Sequence, residues 1–203
     1  MPGVTNVGKS SVINRLLGKR IATVSKYPGT TIKNTLNMIP FTNIGLYDTP
    51  GLIPKGRASD LLCDSCAQKI IPAGEISRKT FKAKYDRVIM IDNLVKIRVL
   101  NDEEVKPIFA IYAAKDVKFH ETTIERAKEL EEGNFFDIPC ECCRDEYNKH
   151  KKISKTLTIK TGEELVFKGL AWVSVKRGPL KIEVTLAEEI EISIRKAFIK
   201  PRR

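Results

Sequence analysis

The chain of 203 residues has no long hydrophobic run, only two histidines, one tryptophan and five cysteines. Its longest apolar stretch, Ile108 to Ala114, is far short of the roughly 20 residues that cross a bilayer. No membrane span and no membrane partner is expected. No signal-peptide pattern opens the sequence, and cytoplasm is the expected compartment. The two histidines, His120 and His150, have no nucleophile and acid partner nearby in sequence, so histidine catalysis is not expected. An odd number of cysteines in a reducing compartment argues against a disulfide framework. Cys63-x-x-Cys66 has zinc-ligand spacing. Its usual complement is another Cys-x-x-Cys, and Cys140-Glu141-Cys142-Cys143 reads as a poor substitute, although four ligands could be gathered from it. Free thiols are the expectation.

What is abundant is positive charge. The net charge is +11, and 42% apolar with 30% charged residues is the balance of a globular chain with a core. Residues 1–82 hold 12 Lys/Arg against 4 Asp/Glu, whereas residues 83–203 hold 24 against 21. The excess sits in the first part and suits an anionic partner such as nucleotide or nucleic acid.

Gly3-Val4-Thr5-Asn6-Val7-Gly8-Lys9-Ser10 matches Gly-x-x-x-x-Gly-Lys-Ser, the phosphate-cradling P-loop. Its glycines let backbone N–H groups turn toward phosphate oxygens. Lys9 adds a point charge for the β/γ-phosphates, and the Ser10 hydroxyl can ligate Mg²⁺. Residues 11–17 read as a helix, whose N-terminus favours anions, and Gly18 as its C-cap. Only Met1 and Pro2 precede the motif, so the strand that normally leads into a P-loop is expected to be missing.

Two short strands are expected at Leu36 to Phe41 and Ile44 to Tyr47. The second ends in Asp48-Thr49-Pro50-Gly51. A carboxylate at a strand's end can hold Mg²⁺ through water, and the Gly51 N–H can touch a γ-phosphate. Leu61 to Ile71 reads as a helix, and the basic residues Arg78, Lys79 and Lys82 as a domain junction or a solvated face. Beyond residue 85 the pattern is β-rich. Residues 94–99, 106–112 and 114–119 resemble 170–175, 181–186 and 187–192. Ala114 to Phe119 and Ala187 to Ile192 share Ala-x-x-apolar-x-apolar. The expectation is an internal duplication, two β-meanders in one domain. A helix over 121–132, closed by Gly133, separates them. The basic run 149–152 is a solvated face or an RNA phosphate contact.

The P-loop, Pro28-Gly29-Thr30-Thr31 and Asp48-Thr49-Pro50-Gly51-Leu52, in that order, resemble the TrmE–Era–EngA class of GTPases. Within that class the whole chain is similar to the YqeH-type circularly permuted GTPases. The resemblance is moderate at Val117 to His120 and Phe167 to Trp172. In such proteins a zinc finger and the base-specificity motifs precede the P-loop, and a β-rich domain follows. The chain would be the C-terminal portion starting at the P-loop. A guanine site in this class needs Asn-Lys-x-Asp, in which a carboxylate accepts from the base. No such tetrapeptide occurs here, and Asn148-Lys149-His150-Lys151 puts a cation where the acceptor belongs. The family's zinc finger would lie outside the chain, and Cys63 and Cys66 do not correspond to it.

The fold expected is an α/β P-loop GTPase portion, incomplete at the strand before the P-loop, over 1–82. A β-rich α+β domain with two related β-meanders follows over 83–203. The resemblance implies GTP hydrolysis coupled to assembly of the small ribosomal subunit, with ribosomal RNA as partner. Gly3, Asn6, Val7, Gly8, Lys9, Ser10, Ser11 and Gly51 would bind GTP or GDP. Ser10, Asp48 and one of Thr30 or Thr31, with Thr31 preferred, would hold Mg²⁺, and Asn6, Lys9 and Thr31 would serve catalysis. Leu52 stands where many GTPases carry a water-orienting Gln. Asn6 is the P-loop asparagine of members that use K⁺, whose charge would replace an arginine finger. The β-rich domain resembles an RNA-binding fold related to the tryptophan RNA-binding attenuation protein. Without its base site the isolated chain would bind GTP poorly. The competing readings are an RNA- or ribosome-binding module with a remnant P-loop that no longer hydrolyses nucleotide and, less favoured, a P-loop ATPase.

Overall fold

In the computed structural model the residues described are 8–18, 34–49, 52, 54–82, 84–102, 104 and 106–198. The chain divides into two compact units, Met1–Lys55 and Gly56–Arg203. The expected boundary at 82/83 falls beyond this division, inside a strand-rich region of the second unit.

In the first unit, α1 spans Lys9–Leu17, with Gly8 before it at φ +89° and Gly18 after it at φ +64°. Both conformations are left-handed, where a side chain is strained and glycine is not. The helix buries Ile13 and Leu17, one turn apart, with Ile39 packed against them. β1 (Thr35–Met38) and β2 (Gly45–Asp48) form an antiparallel hairpin in which Thr35 faces Asp48 and Leu36 faces Tyr47. The Thr42 hydroxyl helps to close its loop by donating to the Ile39 carbonyl at 3.0 Å.

In the second unit a 3₁₀ turn (Ala58–Leu61) and α2 (Asp64–Ile70) precede five strands: β3 (Ile76–Lys82), β4 (Val88–Ile91), β5 (Val95–Val99), β6 (Ile108–Ala114) and β7 (Phe119–Thr122). Two helices follow, α3 (Ile124–Glu132) and α4 (Glu141–Asn148). Five more strands complete it: β8 (Lys152–Ile159), β9 (Glu163–Phe167), β10 (Ala171–Arg177), β11 (Leu180–Ala187) and β12 (Ile192–Lys196). They make two antiparallel five-stranded sheets, ordered β12-β9-β10-β6-β3 and β7-β4-β5-β11-β8.

Replacing each strand by the one five places away converts one order into the other. The registers obey the same rule. Ile91 faces Val95 as Phe167 faces Ala171, and Ile91 faces Phe119 as Phe167 faces Ile192. Val95 faces Leu186 as Ala113 faces Ala171, and Ile76 faces Ala114 as Lys152 faces Ala187. The duplication is therefore one of five strands, and the halves exchange strands rather than forming two meanders. β5 and β6 lie in different sheets, as do β10 and β11. The shared Ala-x-x-apolar-x-apolar segments are turns, not strands. Val117 N–H donates to the Ala114 carbonyl at 3.1 Å, and Ile190 N–H to the Ala187 carbonyl at 3.0 Å. Val117 and Ile190 are buried behind those turns. The basic segment around Arg78 is strand β3, hydrogen-bonded to β6, rather than a linker.

One apolar core draws on both sheets, including Ile97, Phe109, Ile111, Val173, Ile182 and Val184. β4 is buried on both faces. Ile89 and Ile91 enter that core, while Val88 and Met90 lie with Ala127 and Leu130 of α3. This is why Val88-Ile89-Met90-Ile91 is apolar without alternation. α3 starts three residues later than expected because β7 occupies 119–122. Thr123 caps it, its hydroxyl accepting from Arg126 N–H at 3.3 Å.

Asp92, in the turn after β4, is buried, with φ at +44°. Its Oδ2 accepts from Lys118 N–H at 3.0 Å, and its Oδ1 has no hydrogen-bond partner among the described residues. Burial pushes its pKa up to about 7, against the pull of the Lys118 N–H and ammonium. A carboxyl raised in the folded state keeps a proton that the unfolded chain has released. Its favourable contribution is present in full below pH ~4 and is lost as pH rises through about 7. Asp92→Asn is expected to stabilise the protein at about pH 8 by roughly 1–3 kcal/mol and to change little at about pH 4. Urea unfolding of both proteins at the two pH values measures this; a destabilised variant at the higher pH would refute it.

Candidate functional site

Two signals 38 residues apart meet in the first unit. Ser10, in the first turn of α1, donates through Oγ to Oδ2 of Asp48 at 3.1 Å. Asp48 is the last residue of β2 and is 2% exposed. Its Oδ1 is buried without a hydrogen-bond partner among the described residues. A buried carboxylate oxygen lacking a donor is costly unless a cation or proton satisfies it. A hydroxyl and a carboxylate side by side at a helix N-terminus fit Mg²⁺, a hard cation that takes oxygen ligands. Gly8, Lys9 and Ser11 adjoin Ser10, with Gly8 supplying the left-handed turn into the helix. Leu52 is 72% exposed and has no polar group with which to orient water. Gly3, Asn6, Val7, Thr31 and Gly51 lie outside the described residues, as does the Pro28–Thr31 loop.

The second unit carries a row of side chains that sequence reasoning missed. Arg78 of β3 faces Tyr112 of β6, which faces Trp172 of β10. The Tyr112 and Trp172 rings are stacked, with centroids 5.0 Å apart and planes 5° from parallel, and the Arg78 guanidinium lies 5.8 Å from the Tyr112 centroid. The signal is non-local, so no window of sequence displays it. On the other sheet the duplicated positions are Ser154, Thr185 and Lys96, where Ser154 Oγ lies 2.8 Å from Thr185 Oγ1. One sheet therefore bears an aromatic row flanked by a cation and the other a polar one. His150, set aside as a catalyst on sequence grounds, has its Nδ1 2.7 Å from Oε1 of Glu189 at the surface.

The cysteines, expected as free thiols, come together. Cys63 precedes α2 and Cys66 lies in its first turn; Cys140 precedes α4, with Cys142 and Cys143 in its first turn. Burial pushes the Cys66 and Cys143 thiols up. Burial also opposes ionisation of Cys63, but hydrogen bonds from Ser65, the Cys66 backbone, Cys142 and Cys143 hold it down to about 5. Cys140-x-x-Cys143 is itself a Cys-x-x-Cys pair, masked in the sequence by the cysteine inside it.

A family model described as 50S ribosome-binding GTPase matches residues 1–116, more than half of the chain. The chain belongs to this GTPase family. The match runs from the P-loop through β6. A second model, YqeH-like, C-terminal, matches residues 106–198, from the end of the β5–β6 connection through β12. A GTPase match followed by a YqeH-like C-terminal match is consistent with the resemblance to YqeH-type GTPases. Among curated relatives, a chloroplastic ERA-like GTPase of Oryza sativa subsp. japonica is 30% identical over 120 residues, 57% of this chain and 28% of its own. GTPase Era of Fusobacterium nucleatum subsp. nucleatum is 29% identical over 140 residues, 67% and 47% respectively. GTPase Der of Caldanaerobacter subterraneus subsp. tengcongensis is 45% identical over 62 residues, 29% and 14%. The chain spans less than half the length of each of these relatives.

Proposed function

We propose that this chain carries the phosphate- and magnesium-binding part of a GTP-hydrolysing ribosome-assembly factor, acting on the small subunit as the YqeH-type resemblance implies, joined to a β domain that contacts ribosomal RNA. The observation that carries the reading is the meeting of Ser10 and Asp48 beside the Gly8 turn. Under it, backbone N–H groups of Gly3, Asn6, Val7, Gly8 and Ser11 and the Lys9 ammonium receive the phosphates. Ser10, Thr31 and, through water, Asp48 hold Mg²⁺, which when bound neutralises charge on the β- and γ-phosphates. Gly51 N–H contacts the γ-phosphate. Leu52 leaves water orientation to other groups, and Asn6 is assigned to K⁺. Base recognition falls to an Asn-Lys-x-Asp elsewhere in a circularly permuted protein, since this sequence has none. The compartment proposed is the cytoplasm, and no helix among the described residues is long and apolar enough to cross a membrane.

The RNA-binding part rests on the Arg78–Tyr112–Trp172 row. Aromatic faces beside a guanidinium stack unpaired bases without demanding a sequence. The same row supports a second reading, an RNA-binding module that no longer hydrolyses nucleotide.

Titration with fluorescent GTP and ATP in Mg²⁺ separates the two. The GTPase reading expects magnesium-dependent binding with little preference for guanine in this chain, and strong preference once the base site is present. Absence of nucleotide binding in both forms would favour the module. For either, Trp172→Ala is expected to weaken single-stranded RNA binding roughly 5- to 100-fold, the worth of one stacked base. Unchanged RNA affinity would remove the row from the interface.

A further inference from the structure

All five cysteines of the chain lie in one cluster in the second unit, and their geometry is not that of disulfides. The Sγ atoms of Cys63, Cys66, Cys140 and Cys143 all lie within 4.8 Å of one another. Cys63 to Cys140 is 3.6 Å, Cys140 to Cys143 3.8 Å, and Cys143 to Cys66 3.8 Å. A disulfide needs about 2.05 Å. A tetrahedron with metal–sulfur bonds of about 2.3 Å has edges of about 3.8 Å. The three distances match those edges.

We infer that Cys63, Cys66, Cys140 and Cys143 form a structural zinc site. Two Cys-x-x-Cys pairs supply the four ligands. The spacing of three residues places both sulfurs of a pair on one side of a helix start, and the two starts face each other. Cys140 N–H donates to Cys66 Sγ at 3.3 Å, the kind of contact that orients a ligating sulfur. Cys66 and Cys143 are buried, and Cys63 and Cys140 half-buried. Four soft thiolates in a tetrahedron, with neither imidazole nor carboxylate among them, suit zinc and leave no open coordination position for catalysis.

Cys142 is excluded by its own geometry. It is exposed, and its Sγ lies 2.9 Å from Cys140 and 3.3 Å from Cys63, shorter than the edges of the tetrahedron. The site would clip α2, which precedes the first five-stranded repeat, to α4, which lies between the repeats. Zinc would thus close a loop of 77 residues (66 to 143) around the first repeat. This inference is independent of the nucleotide site.

The test is metal analysis of the purified, reduced chain after removal of loosely held ions. About one zinc per chain is expected. Replacing zinc by Co²⁺ should produce thiolate-to-cobalt charge transfer and the visible bands of a tetrahedral site. Cys63→Ser and Cys143→Ser should each weaken metal binding about tenfold or more, whereas Cys142→Ser should keep one zinc. The cobalt spectrum of the unaltered chain reads the ligand set even where a serine variant fails to fold. Iron in place of zinc, no stoichiometric metal in the reduced chain, a non-tetrahedral cobalt spectrum, or loss of metal in Cys142→Ser would each overturn the assignment.

Discussion

Lys9→Ala is expected to weaken magnesium–nucleotide binding by roughly 10- to 150-fold, the value of a hydrogen bond to a charged group. Lys9 begins α1, immediately after the left-handed Gly8; under the proposed function its ammonium and the helix N-terminus would act on the same phosphates. Asp48→Asn should show a different signature. The amide is nearly isosteric and can still accept from Ser10 Oγ, which lies 3.1 Å from Oδ2. It removes the charge, so nucleotide binding should require about tenfold or more Mg²⁺, while binding measured in EDTA should change little. Titrating fluorescent GTP against each variant over a range of Mg²⁺ separates the two roles. Equal losses for Asp48→Asn with and without magnesium would mean that Asp48 supports the loop rather than the metal.

Phe109→Ala is expected to destabilise the second unit by about 3–5 kcal/mol. Phe109, on β6, is fully buried and stacks on Phe81 of β3 with centroids 5.6 Å apart. β6 lies between β3 and β10, so the cavity would open where two strands meet the common core. Ile182 of β11 occupies the duplicated position and is equally buried, but it is smaller. Ile182→Ala should cost about 2–4 kcal/mol. Denaturant unfolding followed by Trp172 fluorescence measures both. A loss below about 1 kcal/mol at Phe109 would contradict the packing described here.

The local elements were readable because their causes are local. α1 and the glycines at its two ends, Gly8 and Gly18, depend on neighbours within a few residues, and they stand where the pattern put them. The carboxylate at the end of β2 was legible for the same reason. The duplication was visible through Ala114 to Phe119 and Ala187 to Ile192, but its meaning was not. Period-2 alternation says that a segment is a strand with a buried face; it does not say which sheet receives it. Strand choice depends on long-range pairing, so alternation alone presents β5 and β6 as neighbours although they belong to opposite sheets.

The sequence by itself determined the chemistry available: a phosphate loop, a carboxylate 39 residues after its lysine, a basic first part and five thiols. Tertiary structure decided which of these groups act together. It set Ser10 against Asp48, aligned Arg78, Tyr112 and Trp172 across three strands, and brought Cys63 and Cys66 to Cys140 and Cys143. Residue type and spacing limit what a side chain can bind. Proximity between segments tens of residues apart arises only when sheet pairing and core burial offset the entropy of closing the loops between them.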